Sequence, residues 1–135
     1  MKRSISSLYA IAVGAFLLIE GVWGLFSPVV FGVLTTNLIH ACIHIVLGII
    51  GLMVGVKGRA RGFLLFLGVL LLAVGLLWFV PGINQLIVTI LNVNQAVAIL
   101  NIVVGALALL IALTDRSPRM AEGGAQSPKG TSYGA

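Results

Sequence analysis

Four apolar runs, at about residues 8–26, 37–56, 62–80 and 94–113, occupy most of this 135-residue chain. Each is 19 or 20 residues long, about 28–30 Å as a helix, which is close to the hydrocarbon thickness of a bilayer. In lipid only helices and closed barrels satisfy their own backbone. Barrel strands would alternate in polarity over about 10 residues; these runs do not alternate, so helices are expected. The composition agrees: 60% of residues are hydrophobic and only 8% are charged, against about 25% charged in a soluble domain. Too little polar side chain is present to cover a soluble monomer. The fold class expected is an all-α membrane protein with four transmembrane helices.

The charges give the expected orientation. Lys2 and Arg3 precede the first run, Lys57, Arg59 and Arg61 lie between the second and third, and Arg116, Arg119 and Lys129 follow the fourth. The other two connections, 27–36 and 81–93, carry no charge. The positive-inside rule then places both termini and the middle loop in the cytoplasm of a multi-pass protein of the cell membrane. The net charge of +5 is thus an orientation signal, and no basic face interleaved with aromatics suggests nucleic acid as a partner. The expected partners are the lipid bilayer and other membrane proteins or a second copy of the chain. Lys2 and Arg3 before an apolar run resemble a signal peptide. The run is longer than a usual signal core and belongs to a repeat, so it is expected to be retained.

The two uncharged connections are read as apolar loops that lie in the interface or fold over the bundle mouth. Pro28 and Pro81 mark the ends of the helices before them, and Trp23 and Trp78 suit an interfacial belt. The chain from Thr114 to Ala135, rich in Gly, Ser and Pro, is expected to be a disordered cytoplasmic tail. Residues 1–113 then form the transmembrane domain.

An internal repeat organises the spans. Sliding the second run by 57 residues onto the fourth matches Asn37 with Asn94, Ala41 with Ala98, Gly48 with Gly105, Gly51 with Ala108 and Gly55 with Ala112. Sliding the first by 54 onto the third matches Gly14 with Gly68 and Gly21 with Gly75. The chain therefore reads as two tandem hairpins, both starting inside, as parallel repeats. Gly48, Gly51 and Gly55, and Gly105, Ala108 and Ala112, share one face of their helices and allow close helix contact. Asn37 and Asn94 suit N-caps.

The stretch Asn37-Leu38-Ile39-His40-Ala41-Cys42-Ile43-His44-Ile45-Val46-Leu47-Gly48-Ile49-Ile50-Gly51 resembles the bacterial domain-of-unknown-function family 4383, over about residues 8–113. The resemblance implies four membrane helices and an Asn-Leu-x-His-x-x-x-His-x-x-x-Gly motif on the second. The family's fourth helix often carries a His near the position of Asn101, the polar counterpart of His44 in the second repeat. No activity is implied.

Ionisable residues inside a span are candidates for function, because burying them is costly. Here they are Glu20, His40 and His44. Glu20 and His44 are expected at one depth, about 9–10 Å below the outer helix ends by helical rise, so they should pair. Three roles are open. The pair can be a structural tie across helices. Histidines at i and i+4 with Glu20 can ligate a transition metal. Glu20 and His44 can exchange a proton on the outer side. No bis-histidine haem is expected, since two His on one helix cannot reach opposite haem faces. Cys42 is read as a small core residue. No nucleophile has a base beside it, so neither an enzyme nor a required cofactor is expected.

Overall fold

A computed structural model of the chain describes residues 3–115. Five helices are present among them: α1 (Ile5–Gly24), α2 (Leu38–Val56), α3 (Arg61–Leu77), α4 (Ile83–Leu91) and α5 (Gln95–Thr114). A ribbon of two short antiparallel strands, β1 (Val29–Val30) and β2 (Leu34–Thr35), joins α1 to α2. The protein is otherwise all-α. By length and composition α1, α2 and α5 can each cross a membrane, and α3 is a shorter apolar helix of 17 residues.

Local chemistry sets the ends. Ser4 starts α1, its hydroxyl accepting from the Ser7 N–H. Asn37 and Asn94 start α2 and α5 in extended backbone, each side-chain oxygen accepting from the N–H three residues on, at His40 and Val97. An N-cap of this kind answers one of the orphan amides of a first turn. The third span, expected over 62–80, begins at Arg61 and ends at Leu77. Its last turn tightens into short-range bonds, Phe79 N–H to Leu76 O and Val80 N–H to Leu77 O, and Pro81 disfavours helix at Val80.

Two expectations are corrected. The segment 81–93 is not a loop: it holds α4, nine residues long, between Gly82 (φ 85°) and Asn92 (φ 52°), the latter a left-handed helix end. At about 14 Å it is too short to span. The apolar residues Ile83, Leu86, Ile87, Ile90 and Leu91 follow helical spacing, and only Ile87 among the helix residues is buried. Cys42 is exposed rather than in the core. It sits across the helix from the buried face of His40, Ala41, His44, Leu47 and Gly48. Of the tail expected from residue 114, Thr114 closes α5 and Asp115 accepts from the Ser6 N–H at 3.3 Å; the remainder lies outside the described residues.

The helices pack as two pairs, α1 on α2 and α3 on α5. In the first pair a Cβ at Gly48 would lie 2.7 Å from Gly14 O, and one at Gly14 would lie 2.9 Å from Gly48 O. In the second, a Cβ at Gly105 or at Gly68 would lie 2.9 Å from the other's carbonyl oxygen. Gly55 is packed against Ser7 and Ile11, and Gly51 against Ala10 and the Phe63 ring. Ala108 and Ala112 are fully buried, in one cluster with Ala10, Ala60 and Leu64. Val13, Leu17, Leu47, Leu67 and Leu71 fill the middle, and Ile87, Val93, Val97 and Ala98 the end near α4.

Outside that core, large apolar side chains face outward along the helices, among them Leu38, Val46, Ile49, Met53 and Val56 on α2 and Val103, Leu107 and Leu110 on α5. Contiguous apolar surface on this scale is untenable in water and ordinary in lipid.

Candidate functional site

Glu20, His40, His44 and Asn101, buried polar residues of the helices, gather near the α4 end. Glu20, four residues before the end of α1, is buried. His40 and His44 lie one turn apart on the buried face of α2. His44 Nδ1 is 3.1 Å from Glu20 Oε2. The imidazole N–H donates to the carboxylate there, so each group answers a neighbour that would otherwise be unpaired in an apolar interior. His40 packs edge-on against His44, ring centroids 4.3 Å apart. Its own Nδ1 lies 3.0 Å from Leu91 O. A carbonyl only accepts, so that nitrogen carries the proton.

Glu20, His40 and His44 line one small cavity together with Val97 and Asn101 of α5 and residues of the ribbon. Asn101, one of the buried residues of α5, has no side-chain hydrogen bond among the described residues. Among those residues no group of three or more His, Cys, Asp or Glu is placed to hold a metal ion.

The ribbon roofs this cavity. Val30 and Thr36 are buried, and Thr35 and Leu34 also line it. Its turn holds Phe31 (φ 53°) and Gly32 (φ 72°) in left-handed backbone, closed by Val33 N–H to Val30 O at 3.2 Å. Such a turn follows the twist of a ribbon, but left-handed backbone is strained for a bulky side chain. Phe31 is held by its ring, stacked on Phe16 at 6.0 Å and tilted against Trp23 at 4.9 Å.

A second feature was missed by sequence reasoning. Each capping asparagine also reaches across the molecule. Asn37 Nδ2 donates to Ile90 O at 2.7 Å, and Asn94 Nδ2 donates to Val33 O at 2.8 Å. These bonds are reciprocal, since 37 and 33 are each 57 residues before 94 and 90. Two more join the same segments, Thr35 Oγ1 to Asn92 O at 2.6 Å and Asn92 Nδ2 to Thr36 O at 2.8 Å. Trp78 turns its indole N–H to Val93 O at 2.8 Å. The only local hint was the pair of asparagines, each already explained by its cap.

No curated protein and no solved structure matches this chain. One family model does, a domain of unknown function (DUF4383), over residues 7–114. That interval holds all of α2 to α5, all but two residues of α1, and every residue of the Glu20–His44 cluster. The chain belongs to the DUF4383 family.

Proposed function

We propose that the chain is a membrane protein of four spans, built as two tandem parallel hairpins, that serves as a structural or partner-binding module and not as an enzyme. The observation that carries this reading is the reciprocal Asn37 and Asn94 clasp. Thr35, Asn37, Asn92 and Asn94 tie the two connections, and with them the two helix pairs, to each other. The matched contacts Gly14–Gly48 and Gly68–Gly105 support the tandem arrangement. As a fourth span α3 would continue through residues 78–80 to reach the interface. The outward apolar faces suit lipid chains or a neighbouring membrane helix.

The charges support cytoplasmic termini. Arg3 donates to Val56 O at 3.0 Å and Arg61 donates to Ala112 O at 2.8 Å. With Lys57 and Arg59, these described basic residues gather at the end opposite the clasp. Single cysteines placed in 27–36 and 81–93 of a Cys42→Ser background should react with an impermeant maleimide in intact cells. Those at 57–61 should react only after lysis. Labelling of 57–61 from outside would overturn the orientation.

The 3.1 Å contact of Glu20 and His44 favours a second reading, proton exchange at the outer side. Difference infrared spectroscopy of the wild type against Glu20→Gln across pH tests it through the carboxyl band. A transition metal on Glu20, His40 and His44 would take His40 through Nε2, with Nδ1–H still donating to Leu91 O. Elemental analysis and optical spectroscopy of the purified protein test that option, and metal at unit stoichiometry would replace the structural reading.

A further inference from the structure

A cleft runs between α2 and α3. Its walls are apolar, from Leu47, Leu70 and Leu71, and His40, His44 and Asn101 stand at its inner end with little polar surface open to it. Its cavity volume is about 70 Å³. Ile43, at that mouth, is 40% exposed on the outward face of α2. A molecule dissolved among the acyl chains of a bilayer would meet the mouth directly.

The inner end offers hydrogen bonds that the protein does not use. Asn101 is 7% exposed, yet its amide has no hydrogen-bond partner among the described residues. His40 and His44 each commit Nδ1, to Leu91 O and to Glu20 Oε2, which leaves Nε2 of both rings without a partner among the described residues. His40, protonated at Nδ1, presents a lone pair at Nε2. Glu20 stands behind His44 and does not line the cleft.

We propose that this cleft binds a neutral, membrane-dissolved amphiphile whose hydroxyl head is held by Asn101 and the two histidines, and whose apolar chain leaves between α2 and α3. A hydroxyl is the smallest head that can donate to an imidazole lone pair and accept from an amide N–H on the same atom. Anionic heads are disfavoured, because no Lys or Arg lines the cleft and the Glu20 carboxylate lies just beyond it. The related crevice, between α5 and α1, is bridged instead. Phe16 stands there in place of Leu70 and stacks on Phe31, and Tyr9 Oη donates to Val104 O at 2.8 Å.

The inference rests on the placement of the helices in a bilayer, which alkaline extraction of the same membranes checks separately. The test uses the full chain in phosphatidylcholine nanodiscs, with 4-octylphenol as probe and its methyl ether as control. Nitrogen-15 spectra should show saturable shifts of the His44 ring and the Asn101 amide with the phenol. The ether, unable to donate, should bind about tenfold more weakly, the effect of one good hydrogen bond. Asn101→Leu should weaken phenol binding by a similar factor, and Leu70→Trp, which fills the mouth without touching the polar end, should block it. Equal binding of phenol and ether would overturn the proposal, as would phenol binding undiminished by Leu70→Trp. The second variant decides the matter even if Asn101→Leu fails to fold.

Discussion

The two helix pairs are built on one seam and differ in what they bury beside it. Both bring backbones together at a glycine pair, Gly14 with Gly48 and Gly68 with Gly105, and both start the second helix at an asparagine cap. Only the first pair buries an acid and two histidines. The second carries Val74, Val97 and Asn101 at the related positions. A seam of small residues is therefore sufficient to pack such a pair, and Glu20, His40 and His44 are not needed for it. Their presence on one side alone makes them an addition to the scaffold, the kind of feature that fixes a geometry or a site.

The seam gives the largest expected effect. Gly48→Leu and Gly105→Leu should each lower stability by about 3 kcal/mol, the upper range for overpacking, because the new side chain meets backbone that cannot move aside. Ile50→Leu, on the outward face, should change little. Thermal unfolding in detergent reads all three, and a large difference between the two glycine variants would end the notion of a common seam.

Next is the clasp. Asn37→Ala and Asn94→Ala each remove a cap and a cross-molecule bond, together about 2 kcal/mol. The two losses should match. Hydrogen exchange should show each variant loosening both outer segments, and protection lost on one side only would break the reciprocity.

The smallest effect isolates the asymmetry. Replacing Glu20 by Val and His44 by Asn gives the first pair the residues of the second. Each single change strands a buried partner, whereas the double change strands neither. The coupling energy should be about 1 kcal/mol. Additive losses would mean that the 3.1 Å contact holds nothing together.

What was legible in the sequence was local. Runs of 20 apolar residues announce helices by themselves, and an asparagine before such a run announces its cap. Glu20 and His44 could be set beside each other because helical rise converts sequence position into depth. The ribbon was hidden because Phe31 carries no signal for left-handed backbone; its rings of contact with Phe16 and Trp23 are non-local. α4 was hidden because its apolar spacing was read as an interfacial loop, although Asn92 marks its end. The angle of Cys42 to His40 and His44 puts it on the opposite side of the helix, which is where the structure has it. The clasp was beyond reach, since nothing in a side-chain amide tells which distant carbonyl it will find.

The clasp also bears on how the molecule is assembled. A ribosome completes α1, the ribbon and α2 before α5 exists, so the Asn37 amide and the Val33 carbonyl emerge with no one to answer them. The first half can zip along its glycines, but its clasp stays open until the second half arrives with Ile90 and Asn94. Completion of the chain and closure of this end of the molecule thereby become a single event, and until then water answers the exposed Asn37 amide and Val33 carbonyl.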